Sequence, residues 1–435
     1  MVVAGGVPYA RLVRPTLGIA ERDAWVLASL LDAAMDAGWD GGIGGDREGP
    51  SHSEGGLLPD VYFALQCEDG WFTHNMSYPA LPLVSCARAR CTTRELRVGH
   101  ADVPGEALCQ RGYPPLWPQW DFWGRMGLSF PPFDEFMRRQ AQRQRSGLVK
   151  PAAERHPTLF WRGKARPAGA PVDVRLAAAR CGESGRFGTT LDLAPWAPDK
   201  AAKETKWTAA SATEGPGASD ESQANDSPKK RRGATRAPAG DAAWELMWGP
   251  WSEHKYLLYL RGYGASSGHK YILAQNATML MLAEDPSETW YSELLVPMTH
   301  YLPVPVPGSA ETELCEQLDE AVRLLEANPS VAEELRANLQ EWLWTNLRRR
   351  SILSAIRETL AAMASRDAAL RQREGASPYV APSPEAIAAA GFERVDCAFL
   401  LRWPKVAQYI AVNREWWRAG WPQLSRCVDA WKQTG

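Results

Sequence analysis

The chain has 435 residues, 45% of them hydrophobic and 23% charged, which is enough for two globular domains of ordinary composition. A formal net charge of -2 gives no global basic field, which argues against a nucleic-acid binder. No apolar run approaches the roughly 20 residues that span a bilayer.

Met1 to Tyr9 lack a basic start followed by an apolar core and do not read as a signal peptide. Either the chain is cytosolic, or the natural N-terminus lies upstream. Ala20 to Ala37 carries Trp25, Leu27, Leu30, Leu31 and Met35 at helical spacing and predicts an amphipathic helix. Asp36 to Gly56 is glycine-rich with interspersed acids and reads as a loop. Val61 to Leu65 and Leu81 to Ser85 are short apolar runs that predict buried strands. Strands alternating with helices point to an α/β domain. Asp134 to Arg145 is a basic helix with a polar face. Pro157 to Trp161 is a further apolar run, ending at Arg162-Gly163. Val172 to Arg180 predicts a helix with Val174, Leu176 and Ala177 facing inward.

From Pro198 to Ala242 the composition changes to Ser, Ala, Gly, Pro, Glu and Lys, with almost no large apolar residue. Such a segment buries too little surface to offset its ordering entropy and reads as a disordered insertion. Its basic run, Lys229 to Arg232, reads as a solvated patch rather than nuclear targeting. The strand pattern resumes with Tyr256 to Leu260. A turn opens at Gly262 and Gly264, Lys270 to Ala274 starts a helix or a second strand, and Ala277 to Leu282 is another apolar run. Trp290 to Leu295 predicts a short helix and His300 to Val306 an extended segment. Glu311 to Asn328 and Val331 to Ala361 are amphipathic helices, the second continuing toward Leu370. Past Ala376 the chain is broken by proline and ends in a tryptophan-rich stretch (Trp403, Trp416, Trp417, Trp421, Trp431), read as a helical tail packed on the body.

The 8 cysteines form no CxxC pair, and Cys86 and Cys91 lack the second half of a zinc site. They are free thiols in a reducing compartment or disulfides in an oxidising one, and the spacing leaves both open. The Gly262 to Gly268 turn follows a strand, where small residues let backbone N–H groups approach an anion and Ser266 and Ser267 add hydroxyls. It is neither a P-loop nor GxGxxG, and a tight strand exit is the competing reading. Lys270 is either a counter-charge for a diphosphate or a solvated surface lysine. Arg162 stands at a strand's C-terminal end, where α/β sheets bind ligands; a structural arginine held by a carboxylate is the alternative. The patch Leu116 to Trp123 is the densest aromatic cluster. Trp120 suits a sugar face and Asp121 a base, or the whole is a packed aromatic knot. His300 and Tyr301 read as residues that hold a loop.

Taken in order, these strings resemble glycosyltransferase family 90, which includes the Rumi-type protein O-glucosyltransferases and the fungal capsule-associated xylosyltransferases. The resemblance is carried by Tyr256 to Gly264, Ser266, Lys270-Tyr271, Leu295 to Pro297 and His300 to Val304. Phe160-Trp161-Arg162-Gly163, the Leu58 to Val61 strand with Asp69, and Pro118 to Gly124 add to it. It covers about Val13 to Ser365. It implies a GT-B-like α/β fold in which two Rossmann-like domains face a cleft. Residues 1–150 would form the acceptor-side domain, 151–365 the donor domain with insertion 198–242, and 366–435 the helical tail.

The resemblance further implies an inverting transfer of glucose, xylose or a similar sugar from a UDP donor to a hydroxyl of a protein or glycan, without a metal or other cofactor. Arg162, Gly262, Ser266, Ser267 and Lys270 would bind the donor, Trp120 the acceptor, and Asp121 would be the base. It implies one or two disulfides among the first four cysteines and a secretory lumen, with which the sequons at Asn75 and Asn276 are compatible. Two positions depart from the family's pattern. Tyr113 to Trp117 contain no acid where Rumi-type members place their base, and Gly268 stands where the family often has an arginine. A non-catalytic relative that binds glycans or nucleotide sugars is the alternative, unless Asp121 replaces the base and His269 or Arg162 the lost cation.

Overall fold

The computed structural model describes residues 1–4, 6–11, 20–37, 58–62, 64–66, 83–85, 88–89, 95–98, 101–104, 118, 122, 131–163, 174–195, 249–260, 268–283, 287–305, 311–373, 382–402, 424, 426–427 and 429. The chain opens with a hairpin of β1 (Val2–Ala4) and β2 (Val7–Ala10), turned at Gly6, whose φ of 76° is backbone that glycine adopts without strain. Helix α1 (Ala20–Asp36) follows and buries Leu27, Leu30, Leu31 and Met35, as their spacing predicts. The Val61 to Leu65 run is divided between β3 (Val61–Tyr62), antiparallel to β1, and β4 (Ala64–Gln66), parallel to β5 (Leu83–Ser85). Next come β6 (Arg88–Ala89) and the hairpin of β7 (Glu95–Val98) with β8 (Ala101–Pro104). Helix α2 (Phe133–Arg145) has Asp134 and Glu135 in its first turn and Arg143 and Arg145 in its last, the order its dipole favours.

The second half is built on β9 (His156–Gly163), α3 (Val174–Glu183), β10 (Leu191–Pro195), β11 (His254–Tyr259), α4 (His269–Leu273), β12 (Thr278–Leu282), β13 (Ser287–Glu288) and β14 (Leu302–Val304). The open reading of Lys270 to Ala274 is thus settled as a helix, and the Ala277 to Leu282 run is a strand whose five residues are all buried. A central parallel strand is covered on both faces, so it reads as a continuous apolar run. In α3, Val174 and Ala177 are buried, but Leu176 is exposed, contrary to expectation. Trp290 to Leu295 contains only a short 3-10 turn, Ser292–Leu294.

Five strands form one parallel sheet in the order β10-β9-β11-β12-β14. The chain starts at β9, steps outward to β10, then returns across β9 to β11 and continues the other way. This is a doubly wound sheet with its switch point between β9 and β11. Register puts Leu159, Trp161, Leu191, Leu193 and Tyr256 on one face. Helices α3 and α5 (Glu311–Ala327) cover that face. The disulfide Cys181–Cys315 joins these two helices, and the Tyr256 hydroxyl donates to Glu326 of α5. Gly182 of α3 lies so close to β10 that a Cβ there would meet the Leu193 carbonyl oxygen. On the other face Phe160 packs edge-on against Trp251, and Tyr259 stacks on His269 of α4.

The predicted long helix beyond Val331 is two helices, α6 (Pro329–Asn346) and α7 (Arg349–Arg373). The start of α7 is fixed from another element: the Asp134 carboxylate of α2 accepts from the Arg349 backbone N–H at 2.9 Å. Helix α7 returns the chain to the N-terminal half. Its Arg349 makes a two-pronged bond to Asp32 of α1, at 2.9 and 3.2 Å, and reaches Asp36 at 3.2 Å. Beyond it lie α8 (Pro384–Ala389), β15 (Glu393–Arg394) and α9 (Cys397–Leu401). The described part of the expected helical tail therefore includes a strand. β15 pairs antiparallel with β2 and completes a sheet of order β15-β2-β1-β3.

That N-terminal sheet is antiparallel throughout, whereas a Rossmann-like domain rests on parallel strands. The parallel pair β4-β5 stands apart from it. What is shown is an α/β fold whose parallel sheet and helices are compatible with a Rossmann-like glycosyltransferase domain. The insertion at 198–242, the Trp-rich residues of the tail and the first four cysteines lie outside the described residues. Among the described residues no cysteine is free, and Cys397–Cys427 is a second disulfide. Among them, too, no helix is long and apolar enough to cross a membrane.

Candidate active site

In a doubly wound sheet the ligand crevice lies beyond the C-terminal ends of the strands at the switch point. Here those ends are Gly163 of β9 and Tyr259 of β11. Arg162 is the penultimate residue of β9, and the chain between Leu260 and Gly268, which carries the predicted turn, lies outside the described residues. Strands β9 and β11, far apart in sequence, are neighbours because of strand order, a property no local pattern encodes.

Arg162 is not an unengaged cation. Its Nη2 donates to Asp192 Oδ1 at 2.6 Å, and its Nη1 to the carbonyls of Trp161 and Asp192 at 2.9 and 2.8 Å. The guanidinium lies 4.4 Å from the Phe160 ring centroid. The reading of Arg162 as an arginine held by a carboxylate is met, and the side chain stands near the C-terminal end of β9, 26% exposed. Asp192 escapes sequence reasoning, because its strand, Leu-Asp-Leu-Ala-Pro, is short and abuts the polar insertion. The alternation of Leu191, Asp192 and Leu193 is the available signal. Behind this pair His254 Nδ1 shares a 2.6 Å bond with Thr158 Oγ1, and its Nε2 is 3.9 Å from Asp192. Burial lowers the His254 pKa to about 4; Asp192 opposes the shift, while His156 and Arg162 reinforce it.

Beyond the turn, Lys270 is wholly buried, which excludes the solvated-lysine reading. Its ammonium lies 4.6 Å from the Phe122 ring centroid and 4.8 Å from that of Tyr271. Its neighbour His269 is 2% exposed, stacks on Tyr259 with centroids 3.8 Å apart, and shares a 3.2 Å bond between Nδ1 and the Tyr291 hydroxyl. Burial, aided by the charge of Lys270, lowers the His269 pKa to about 3. The ring is neutral at ordinary pH, so it does not replace as a cation the arginine that Gly268 lacks.

Phe122 brings the aromatic element of the first half to this place. It is fully buried and makes edge or tilted contacts with Phe133, Trp290 and Tyr291 at 5.5, 5.9 and 6.2 Å. Phe133 and Phe136 of α2 meet Tyr271 of α4 edge-on at 5.5 and 5.0 Å. Gln140 of α2 donates to Gln275 at 2.8 Å. The first half is therefore packed onto the helix that follows the candidate donor loop. Each large aromatic here contributes area and a geometric preference for edge-to-face contact.

Of the predicted site residues, Arg162 and Lys270 are placed at this end of the sheet. Gly262, Ser266, Ser267, Trp120 and Asp121 lie outside the described residues. His300 holds a loop, as its sequence setting suggested: its Nδ1 accepts from the Val296 N–H at 2.9 Å. The sequon residue Asn276 has positive φ, 54°, and its side-chain oxygen accepts from Arg336. Asn75 lies outside the described residues. Among those described, no group of three His, Cys, Asp or Glu is placed to hold a metal ion.

Comparison with known families tests the resemblance directly. The model of glycosyl transferase family 90 matches residues 244–393. Over that segment the chain is similar to the family. The segment spans β11, the turn, α4, β12, the His300 loop and helices α5 to α8, about a third of the 435 residues. Arg162 and the aromatic element at 118–124 lie before it. No curated protein matches the chain. The family 90 match supports a glycosyltransferase, and with it a sugar donor and an acceptor as substrates.

Proposed function

We propose that this glycosyltransferase is an inverting enzyme of GT-B arrangement that moves glucose, xylose or a similar sugar from a UDP donor to a hydroxyl of a protein or glycan. The observation that carries the reading is that β11, the first strand of the family 90 match, stands beside β9 at the switch point, with Arg162 at the C-terminal end of β9. In this reading the diphosphate lies over the turn, held by the backbone of Gly262, the hydroxyls of Ser266 and Ser267, Arg162, and the charge of Lys270. Arg162 has its Nε–H and one Nη2 hydrogen left for it after its three bonds. No metal or other cofactor enters; fixed cations and N–H groups meet the charge of the leaving group.

Asp121 is the base and Trp120 the acceptor platform. The carboxylate takes the proton of the acceptor hydroxyl, and the oxygen attacks the anomeric carbon from the side opposite the diphosphate. The bond from that carbon to the diphosphate oxygen breaks, UDP leaves, and the configuration inverts. Positioned proton removal contributes about 10²–10⁴-fold. The described disulfides fit an oxidising compartment, in keeping with a secretory lumen.

The second reading is a relative that binds sugar nucleotides or glycans without transfer. It is favoured by the neutral His269, which leaves the cation lost at Gly268 unreplaced, and by the absence of an acid in Tyr113 to Trp117. UDP release from UDP-glucose and UDP-xylose, with wild type and Asp121→Asn, separates the two. Transfer or hydrolysis that falls at least 100-fold in Asp121→Asn supports the enzyme as drawn. UDP binding with no turnover on any donor favours the binding protein, and a fully active Asp121→Asn removes Asp121 as base.

A further inference from the structure

From Leu273 to Leu282, through the end of α4 and the whole of β12, every residue is buried except Asn276, which is half-buried in the turn between the two elements. Asn276 opens the string Asn276-Ala277-Thr278, in which a side-chain amide is followed two residues on by a hydroxyl, the pattern read in N-glycosylation. Such a string is short enough to arise by chance, and three structural observations distinguish this one.

First, the backbone of the turn is fixed without the Asn276 amide. Arg155 Nη1 donates to the carbonyls of Gln275 and Asn276 at 3.2 and 2.7 Å. The Asn276 φ of 54° is left-handed backbone, which asparagine adopts more readily than most residues. Second, the side chain is held by its oxygen alone. Oδ1 accepts from Arg336 of α6, whose Nε donates to Glu333 at 2.9 Å. Among the described residues nothing accepts from Nδ2, the atom that would carry a glycan, and Nδ2 is not one of their buried unpaired atoms. A glycosylated amide keeps its carbonyl oxygen, so the Arg336 bond is retained. Third, Asn276 lies just ahead of the N-terminal end of β12, whereas the candidate crevice lies beyond the C-terminal ends of these parallel strands. A glycan there stands at the opposite edge of the sheet from the transfer chemistry.

We propose that Asn276 carries an N-linked glycan, attached before β12 joins the sheet. The order follows from Thr278. Its hydroxyl donates to the Ala332 carbonyl at 2.9 Å and the residue is 3% exposed, so the folded chain does not present the hydroxyl that the modifying enzyme reads. In the step, Nδ2 bonds to the anomeric carbon of a lipid diphosphate-linked oligosaccharide. The bond from that carbon to the diphosphate oxygen breaks, the lipid diphosphate leaves, and Nδ2 gives one proton to a base of the modifying enzyme. The modification goes beyond the transfer reaction proposed above and rests on one part of that reading, passage through an oxidising secretory lumen.

The test expresses the full chain behind a cleavable secretory signal in a eukaryotic host, as wild type, Asn276→Asp and Asn75→Gln. Asn276→Asp keeps an oxygen for Arg336 and suits the positive φ, so it removes the glycan site with the least change to the fold. Amide-cleaving glycosidase in heavy-oxygen water, followed by peptide mass spectrometry, marks each glycosylated asparagine as a labelled aspartate. The label is expected at position 276 in wild type and in Asn75→Gln, and Asn276→Asp is expected to lose one glycan in gel mobility. An unlabelled position 276, in a chain secreted with Cys181–Cys315 and Cys397–Cys427 formed, overturns the site and leaves the compartment reading in place. A chain retained with those four cysteines as free thiols overturns the compartment reading, and the site with it. Made without glycan in a bacterial host, the folded chain is expected to accept no oligosaccharide from a purified oligosaccharyltransferase, and the unfolded chain to accept one at position 276. Equal acceptance by the two overturns the proposed order.

Discussion

Acidification should destabilise this fold through two named rings. His269 and His254 are held neutral, with pKa lowered mainly by burial from 6.5 to about 3 and about 4. Unfolding returns each ring to its ordinary value. Between the folded and unfolded values the unfolded chain binds more protons, so stability falls as pH falls. The contribution is fully present above about pH 6.5 and is lost on the way down to the folded pKa. At about 1.4 kcal/mol per unit, moving from about pH 7 to about pH 5 removes about 2 kcal/mol for each ring and about 4 kcal/mol for both. That is a large part of a typical stability of about 5–15 kcal/mol. Urea unfolding at the two pH values measures it, in wild type, His269→Phe and His254→Gln. Each variant should show about half of the wild-type loss on acidification. If the full loss persists in both variants, the rings are not buried and neutral. The argument that His269 brings no charge to a donor diphosphate then fails as well.

Two further outcomes follow from tertiary contacts. Asp32 is fully buried, the Arg349 side chain is 14% exposed, and Arg349 also has Asp36 within reach. Arg349→Met should therefore cost about 3–5 kcal/mol, more than Asp32→Asn, and the double change Asp32→Leu with Arg349→Met should cost less than Arg349→Met alone. Additive losses across this cycle in urea titrations would show that the pair is not coupled. The disulfide Cys181–Cys315 closes a separation of 134 residues, for which chain entropy gives a ceiling of about 5 kcal/mol. Replacing both cysteines with alanine should lower the urea midpoint, and an unchanged midpoint would refute the link between α3 and α5.

Much of the candidate site was legible in the sequence, because its motifs are local. Phe160 to Gly163 and the string after Tyr259 are short motifs that follow one another along the chain, and the family match covers the second of them, within residues 244–393. The environments of those residues were not legible. Nothing near Arg162 in sequence names Asp192, 30 residues on, as its partner. Nothing around Lys270 shows that Phe122, from the first half, will bury it. His269 looked like a possible cation, since a histidine's charge depends on the surfaces that close over it and not on its neighbours in the chain.

The sequence by itself determined the elements whose periodicity is written within a few residues: α1, α2, α3, the apolar strands β9, β11 and β12, and the helices after Glu311. It also determined the chemistry available at the turn. Only the tertiary structure decided the strand order that puts β9 beside β11, the break between α6 and α7 capped by Asp134, and the return of β15 to the first sheet. Those choices depend on which distant faces cover one another, and burial of apolar surface is non-directional until the packed partners fix it.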